Sequence, residues 1–434
     1  MFSEGFGVTM QYRSRALAVI ASATLVAAVA ACASSKPASV PGVTSTTITV
    51  GSHQPLTGPA APGYSKISPA TAAYFAYVNA NGGVNGRKIV YKVLDDGYNP
   101  NTTQTDVKQL VLKDHVFAIL NGLGTPTHTS VLPFLKQNKV PDLFVASGSE
   151  TWNQPSKYPD TYGFQVDYKV EGKILGNYVK TSMAGQKVCF FGQNDDFGAD
   201  MLAGLQQEIG ASAVAAQQQY DPAAAPNVGP QIGALKAAGC QVVVAATIPG
   251  FTALALGTAA KLGFKTQWIV SNVGTDYNTV AGLLGAAGTP LLEGVITDGY
   301  LPLASDTADP WITLFQKINT QYNNNAAWDG NVEYGMAVGY AFVQALKAAG
   351  KNPTRDSILS AINSQGKSWT GPGIVPLNFS SGNHSGYAGA RIAKITGGVA
   401  QWVGPAYTTD DGSGAVTAYN GTEGTPSTNG IPSN

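Results

Sequence analysis

The chain has 434 residues, of which 26 are Lys or Arg and 26 are Asp or Glu, so its formal net charge is zero. Charged residues make up 12% of the chain, about half the usual share in soluble proteins, and this low and balanced charge argues against a basic nucleic-acid-binding protein. The 44% hydrophobic content and the 51 glycines are typical of a globular chain with many tight turns. The length exceeds what one hydrophobic core usually supports, so we expect two lobes.

The N-terminal segment has the pattern of an export signal. Arg13 and Arg15 precede an uncharged stretch, Ala16–Ala31, which is shorter than the roughly 20 residues of a membrane-spanning helix. The stretch ends in VAAC (29–32), and small residues before a cysteine resemble a lipoprotein signal peptidase site. We therefore expect residues 1–31 to be a signal peptide and Cys32 to carry a lipid. The alternative is an ordinary secretory signal with a chance cysteine.

The residues that follow the cysteine have the composition of a linker. Residues 32–45 are rich in Ser, Pro and Ala and show no apolar period. Such a composition predicts a flexible tether, which would give the folded part reach from a membrane surface.

Strand and helix patterns then alternate. Thr47–Gly51 alternates like a strand, and Ser68-Pro69 begins a helix with Tyr74, Phe75 and Val78 on one face. The unit recurs, with strands predicted at 88–94, 116–120 and 143–146 and helices at 105–113 and 126–138. This alternation predicts parallel strands with crossover helices.

A second series of the same kind begins near residue 168. Here the sequence predicts helices at 168–183 and 197–209 and strands at 187–192 and 241–246. Three later helices begin at Asp309-Pro310, Val332 and Thr354, and they need a sheet to cover. The sequence therefore predicts two α/β domains.

The C-terminal segment is poor in apolar residues. Between 408 and 434 only Val416, Tyr419 and Ile431 are sizeable apolar groups among Gly, Ser, Thr and Asn. We expect a flexible tail without a fold of its own.

Motifs for catalysis or metal binding are scarce in this sequence. The four histidines have no HExxH pattern or helical metal spacing, and we expect loop or surface positions for them: His53, His115, His128 and His384. No nucleophile elbow or phosphate-binding loop occurs. The SxxK match at 364–367 lacks its partner motifs. We therefore expect neither an enzyme nor a bound metal or cofactor.

Several runs together resemble one family. They are VNANGGVNGRKI (78–89) followed by Asp95-Asp96 and Pro100, LGTPT (123–127), VPDLFVASGS (140–149), QNDDFG (193–198) and LGFKT (262–266). This set, spread over about residues 46–406, resembles the bacterial branched-chain amino acid binding proteins, the leucine/isoleucine/valine type of periplasmic receptor.

The resemblance implies an architecture and a role. It implies two doubly wound lobes joined by three crossing segments, near residues 166, 300 and 385. Lobe I would comprise 46–165 and 301–384, and lobe II 166–300 and 385–407. Such receptors close on a solute and deliver it to an ABC transporter permease. We expect a monomer, held to the membrane by its lipid alone; a ligand-sensing receptor for a membrane signalling partner is the alternative.

The resemblance also implies where the solute binds. From lobe I, Thr125 and the segment Ser147-Gly148-Ser149 take the places that hold a ligand's carboxylate and amine, with simple helix capping as the alternative. From lobe II come Phe197, Ile248 and Asn272. Tyr64 and Tyr334 are plausible cleft walls, although core packing explains either of them equally well.

Asn272 bears on the solute's chemistry. It falls where amino acid receptors of this family carry an acid for the ligand's ammonium, and an ammonium buried without an anion is costly. The sequence therefore favours an organic acid with an apolar body and no ammonium, with branched-chain amino acids as the main rival. Acids elsewhere would restore the missing charge if they lay in the cleft, namely Glu150, Asp276 or Glu333.

Two cysteines lie in the second lobe. Cys189 and Cys240 fall in or beside its first and third strands, which are neighbours in the usual doubly wound order. In an exported chain a disulfide is one outcome and two buried free thiols are the other.

Overall fold

The computed structural model describes residues 39–433. The predicted signal peptide, the predicted lipidation site Cys32 and the first part of the predicted tether lie outside this range.

Lobe I is built around a sheet of five parallel strands. The strands are β1 (Thr47–Gln54), β2 (Lys88–Asp95), β3 (Ile119–Leu120), β4 (Asp142–Val145) and β5 (Thr161–Gly163), in the order β2-β1-β3-β4-β5. The first five helices are α1 (Ala61–Tyr64), α2 (Ile67–Ala80), α3 (Pro100–Leu112), α4 (Thr125–Thr129) and α5 (Leu132–Gln137). Three more helices return to this lobe from later in the chain, α12 (Pro310–Tyr322), α13 (Gly330–Ala348) and α14 (Arg355–Gln365).

Lobe II is built around an eight-stranded mixed sheet. Five parallel strands are β6 (Val188–Gln193), β7 (Val214–Tyr220), β8 (Val242–Ala246), β9 (Gln267–Val270) and β10 (Ile296–Gly299). Three antiparallel strands, β11 (Gly389–Thr396), β12 (Val399–Thr408) and β13 (Thr417–Tyr419), extend the sheet beyond β10. The order is β13-β12-β11-β10-β9-β8-β6-β7. The helices are α6 (Tyr168–Ser182), α7 (Asp196–Ile209), α8 (Gly229–Ala237), α9 (Pro249–Lys261), α10 (Tyr277–Leu284) and α11 (Gly288–Leu292).

Three segments carry the chain between the lobes. One joins β5 to α6, the second joins β10 to α12, and the third leads into β11. Two doubly wound lobes with three crossing segments confirm the predicted fold class. The crossings place the carboxyl ends of both parallel sheets on either side of one cleft, which is where α/β folds bind their ligands.

Sequence features account for the packing of the longest helix. Asp329 caps α13 by accepting hydrogen bonds from the backbone N–H groups of Asn331 and Val332. Gly335 faces α2, where a Cβ atom would lie 2.2 Å from the carbonyl oxygen of Ile67. Because glycine has no Cβ, the two helices approach closely and seal one side of lobe I.

Several local expectations differ from the structure. The predicted helix at 126–138 is two short helices, α4 and α5, separated by a break before Leu132. The tether is also shorter than expected, because residues 40–45 pack on lobe I. There the backbone N–H of Thr49 donates to Gly42 O (2.8 Å) and Arg87 Nε donates to Thr44 O (2.7 Å).

Two of the four histidines do not have the loop or surface positions that the sequence predicted, since His53 lies in β1 and His128 in α4, whereas His115 and His384 lie in loops. His53 and His128 are fully buried and His384 is 2% exposed, so only His115 of the four lies at the surface. Each buried ring has hydrogen-bond partners that lie far away in sequence. Sequence spacing alone therefore gave no sign of their burial.

The expectation of a flexible tail at 408–434 is wrong for the described residues. The tail pairs with lobe II through β13 and then runs to lobe I. On lobe I, Trp311 Nε1 donates to Gly424 O (2.7 Å), Tyr74 Oη donates to Gly430 O (2.9 Å), and Ile431 is 6% exposed. A few well-placed anchors on a distant surface hold a segment that has little apolar content.

The packed tail should stabilise the protein. We expect Ile431→Ala to lower the free energy of unfolding by about 2 to 3 kcal/mol, because it removes a buried aliphatic group. The matched control is Thr428→Ala, an exposed change in the same segment, which should alter it by less than about 0.5 kcal/mol. Denaturant titration measures both; an unchanged value for Ile431→Ala contradicts the anchoring role.

The lobe II cysteines form a disulfide. Cys189 in β6 and Cys240 just before β8 are bonded, with their Cα atoms 5.8 Å apart. The strands β6 and β8 are neighbours, as the doubly wound order predicts.

The disulfide closes a long loop, since its cysteines are 51 residues apart. Loop-closure entropy in the unfolded chain gives an expected stabilisation of about 4 kcal/mol. We therefore expect reduction, or replacement of both cysteines by alanine, to lower the melting temperature by several degrees or more. Thiol counting under denaturing, non-reducing conditions should find neither cysteine free, and two reactive thiols besides Cys32 would contradict the bond.

Candidate functional site

The two lobes meet across the cleft in a closed arrangement. Hydrogen bonds cross the cleft from Tyr64 Oη to Val273 O (2.7 Å), from Gly330 N to Asp276 Oδ2 (3.1 Å) and from Glu150 N to Asp200 Oδ2 (2.9 Å). These contacts join lobe I to lobe II, and a cavity lies between the two lobes.

The cavity has a volume of about 260 Å³ and brings together most of the predicted site. Six of the nine predicted residues line it: Tyr64, Thr125, Phe197, Ile248, Asn272 and Tyr334. The other three, Ser147, Gly148 and Ser149, are not among the residues that line the cavity. Gly148 is closely packed, since a Cβ atom would lie 2.4 Å from Val166 O.

The lobe I end of the cavity carries hydroxyl and amide groups. Thr125 begins α4, and its Oγ1 lies 2.8 Å from Ser147 Oγ. Ser149 instead accepts a hydrogen bond from the Thr151 backbone N–H (3.1 Å), which is the capping alternative. Gln165, which the sequence reading missed, lines the cavity with its Nε2 buried and without a hydrogen-bond partner among residues 39–433.

The middle of the cavity is aromatic. Tyr98, Tyr168 and Tyr300 join the predicted Tyr64 and Tyr334 in its lining. Burial raises the pKa of Tyr98, Tyr300 and Tyr334 well above the ordinary value, so these hydroxyls stay neutral and able to donate. The walls therefore combine apolar ring faces with neutral donors. Tyr98 comes shortly after the acidic pair Asp95-Asp96, and Tyr168 begins a predicted helix, but no sequence pattern marked either tyrosine as a cavity residue.

Phe197 and Ile248 sit in the lobe II wall. The Phe197 ring packs on the Tyr168 ring with centroids 4.4 Å apart, and both side chains are nearly fully buried. Ile248 directs its backbone N–H to Tyr220 Oη (3.0 Å), which leaves an aliphatic side chain for the cavity. This wall suits an apolar group.

A pair of acids stands beside Asn272. Its backbone N–H lies 3.0 Å from Glu171 Oε1 and 3.1 Å from Asp298 Oδ1, and its Nδ2 donates to Asp298 Oδ2 (3.1 Å). Asp298 lines the cavity. Burial, and then the charge of Asp298, raise the pKa of Glu171 well above its usual range; burial also raises the pKa of Asp298. Two adjacent buried carboxyls share one proton, so the pair holds one negative charge near neutral pH.

The acids that the sequence offered as replacements have other positions. Asp276 lines the cavity but caps α10, and Glu333 lines it with burial raising its pKa well above normal. Glu150 forms an ion pair with Lys169 (3.1 Å). The premise that the Asn272 wall lacks an acid is wrong, because Asp298 is there. Sequence reasoning missed it since Glu171 and Asp298 come from separate elements.

The cavity continues beyond the predicted residues. Its lining extends along the second crossing segment, through Leu301 and Leu303, and reaches Val399 and Trp402 of β12. This extension is mostly apolar, so the cavity has room for a hydrocarbon group beyond the polar ends.

Across residues 39–433, no group of three or more His, Cys, Asp or Glu side chains is arranged so that it could hold a metal ion. Over the same range no helix is both long and apolar enough to cross a membrane.

Two lobes that close over a cavity with polar ends and aromatic walls define a solute-binding protein. A model of the periplasmic binding protein family matches residues 47–399, and the chain belongs to that family. This confirms the resemblance, whose relatives are substrate-binding proteins rather than enzymes, and implies an extracytoplasmic location.

Solved structures share this fold at low sequence identity. A substrate-binding periplasmic protein from Ralstonia solanacearum is 20% identical, with a TM-score of 0.74 over 82% of this chain and 100% of that one. A branched chain amino acid ABC transporter protein from Thermus thermophilus, solved with bound valine, is 20% identical, with a TM-score of 0.73 over 85% and 98%. A fatty acid ABC transporter substrate-binding protein from Thermomonospora curvata is 23% identical, with a TM-score of 0.73 over 86% and 95%. A search of curated protein sequences gave no match.

Proposed function

We propose that this protein captures a small solute with a carboxylate and an apolar body between its lobes and delivers it to an ABC permease. The observation that carries the proposal is an interlobe cavity with the Gln165 amide nitrogen, unpartnered among residues 39–433, at one end and apolar surface along its walls. Contacts from both lobes favour the closed form once a solute is bound, which is how such a receptor signals occupancy.

The carboxylate belongs at the lobe I end. Thr125 Oγ1 and Gln165 Nε2, which has no hydrogen-bond partner within the described residues, are donors on the cavity wall. At the lobe II end, the Glu171–Asp298 pair holds one negative charge and repels a carboxylate. The charge distribution therefore orients the solute along the cavity.

The remaining question is whether the solute has an ammonium. Asp298 lies on the wall where Asn272 had suggested that no anion was present. The geometry now favours an amino acid with an apolar side chain over its deaminated counterpart. The related structures include proteins named for branched-chain amino acids and for fatty acids, so both classes belong in the test.

The test has two stages. Mass spectrometry of small molecules released from the purified, unfolded protein identifies any solute that co-purifies. Titration calorimetry then compares leucine and valine with 4-methylpentanoate, phenylacetate and octanoate. Binding of none of these, together with no released carboxylate, contradicts the proposal; turnover of a bound solute would point to an enzyme instead.

We further propose that Cys32 anchors the protein to the outer face of the cytoplasmic membrane. Buried acyl chains contribute about 0.8 kcal/mol per CH₂ group, so several chains hold a protein firmly. We expect Cys32→Ala to move the protein from the membrane fraction into the medium, whereas Ser34→Ala should leave fractionation unchanged. The measurement is fractionation combined with the mass of the N-terminal peptide, and an unaltered distribution of Cys32→Ala contradicts the anchor.

A further inference from the structure

Four buried side chains form a continuous hydrogen-bonded chain behind the cavity in lobe I. His53 Nδ1 lies 2.8 Å from Asp96 Oδ2, His53 Nε2 lies 2.9 Å from His128 Nδ1, and His128 Nε2 lies 2.8 Å from Asp142 Oδ2. None of the four residues is more than 1% exposed. They come from β1, the loop after β2, α4 and β4, and we call them the Asp–His–His–Asp chain.

The geometry fixes how many protons the chain holds. Each of its three contacts needs one hydrogen, and a contact between two bare acceptors would be repulsive. Two neutral imidazoles supply only two hydrogens, so the complete chain requires a third and one ring is an imidazolium. Burial lowers the pKa of His53, so we place the second ring proton elsewhere in the chain and assign His53 Nε2 as the acceptor of the hydrogen bond from His128 Nδ1.

The chain is attached to two cavity-lining residues. Asp96 Oδ1 accepts a hydrogen bond from the Tyr98 backbone N–H (2.9 Å), and His128 belongs to α4, the helix that Thr125 begins. Both Tyr98 and Thr125 line the cavity. Gly122 packs directly on the contact between the rings, where a Cβ atom would lie 2.5 Å from both ring nitrogens. The rings therefore have no room to separate without moving this loop.

We propose that His53 and His128 are positioning residues for solute binding, and that a fourth proton on the Asp–His–His–Asp chain weakens binding at acidic pH. A proton added to His53 Nε2 makes both rings donors at their shared contact. That hydrogen bond is lost, two cations face each other, and the displacement passes to the Thr125 helix and the Tyr98 loop.

Further titratable groups lie near the two carboxylates of the chain. Burial raises the pKa of Asp106, Tyr98 and Asp160, and the charge of Asp96 adds to the pKa shift of Asp106 and Tyr98, as the charge of Asp142 does for Asp160. The charged or titratable groups that act on His53 are Asp96, His128 and Asp142. Thr103 and Thr161 donate to the two carboxylates, and the Trp152 ring packs edge-on against His128. One further titratable ring, His384, reaches this region by bonding to Thr161 O (2.9 Å).

The sign of the pH effect on stability follows from the His53 shift. Burial lowers the pKa of folded His53 below 6.5, the ordinary value it has in the unfolded chain. Below about pH 6.5, His53 therefore binds more protons in the unfolded chain than in the folded one, so its own contribution to stability decreases as the pH is lowered, until the folded ring also titrates. Above that pH His53 contributes no pH dependence.

The experiment uses the soluble mature protein with ¹⁵N-labelled histidine and backbone. At pH 7.5 we expect three protonated nitrogens among the four of His53 and His128. On lowering the pH to 5, the amide signals of Thr125 and Tyr98 should shift together with His53. If L-leucine binds the protein, its dissociation constant should rise about tenfold between pH 7.5 and pH 5, as expected for the loss of one charge-assisted hydrogen bond.

Variants separate positioning from general acid effects. His53→Gln and His128→Gln should abolish the titration of the Thr125 and Tyr98 signals. Two control variants should retain it: His115→Gln at the surface, and His384→Gln, which is not part of the Asp–His–His–Asp chain. If the histidine variants do not fold, Asp142→Asn keeps the side-chain size and removes the charge that stabilises the imidazolium, so the titration should move to lower pH.

Specific results overturn the proposal. They are Thr125 and Tyr98 signals that do not titrate in the parent protein, a titration that survives in His53→Gln, or one that Asp142→Asn leaves unmoved. Failure of L-leucine to bind at any pH speaks only against the proposed solute, because the NMR titration needs no ligand.

Discussion

Replacing Thr125 by valine should weaken solute binding by a factor of about ten to one hundred. The Thr125 hydroxyl lies on the cavity wall at the end where the carboxylate is expected, and a hydrogen bond to a charged group contributes about 1.5 to 3 kcal/mol. Valine has nearly the same shape, so the fold should be retained, with a stability loss of about 1 kcal/mol because the buried hydrogen bond to Ser147 Oγ is removed. The measurement is calorimetry with the solute that co-purifies.

The matched control is Thr105→Val, which makes the same change at an exposed position of α3. Ser149→Ala adds a second comparison. If Ser149 binds the solute, as the family resemblance implies, the variant should have reduced affinity. If Ser149 only caps the turn through its bond from the Thr151 N–H, the variant should lose about 1 kcal/mol of stability and retain binding. Unchanged affinity in Thr125→Val shows that the lobe I site is misplaced.

Much of the fold was predictable because its signals are local. The predicted strand at 88–94 corresponds to β2, and the predicted helix at 197–209 corresponds to α7. Both are set by apolar period and by turn residues within a short window. The strand predicted at 116–120 is shorter in the structure, β3, because its first residues pair by isolated backbone contacts before the sheet register begins.

The features that the sequence did not reveal depend on contacts between distant residues. His53 and His128 are 75 positions apart, and the acids beside Asn272 come from the first turn of α6 and from β10. Each looks unremarkable within its own element, since a glutamate early in a helix usually interacts with the helix N-terminus. The packed tail is a similar case, because its anchors are aromatic groups of α2 and α12.

The site was partly predictable for the same reason. Family resemblance carries single motif positions, so it located Thr125, Phe197 and Asn272, all of which line the cavity. The resemblance gave no information about which side chains contact a position where this sequence departs from the family pattern. At Asn272 this mattered, because the residue that departs from the family pattern is hydrogen-bonded to Asp298.

Removing the acid pair should change which solutes bind. We expect Glu171→Gln combined with Asp298→Asn to weaken leucine binding at least thirtyfold, because losing a buried charge partner costs about 2 to 5 kcal/mol. The same variant should bind 4-methylpentanoate more tightly than the parent, since an anion no longer repels it. Titration calorimetry at pH 7, where the pair carries one negative charge, measures both.

The double variant is needed because the two carboxyls are coupled. In Asp298→Asn alone, burial still raises the pKa of Glu171, but the charge of Asp298 no longer does, so the Glu171 pKa falls and a second carboxyl remains that is able to take over part of the lost charge. Asp221→Asn, an exposed change in lobe II, is the control and should leave both affinities unaltered. Asn272→Asp should bring no gain for leucine, because it replaces the Nδ2 donor to Asp298 by a third carboxylate. Tight binding of 4-methylpentanoate by the parent without any binding of leucine contradicts the role given to Asp298, and supports the deaminated solute that Asn272 alone had suggested.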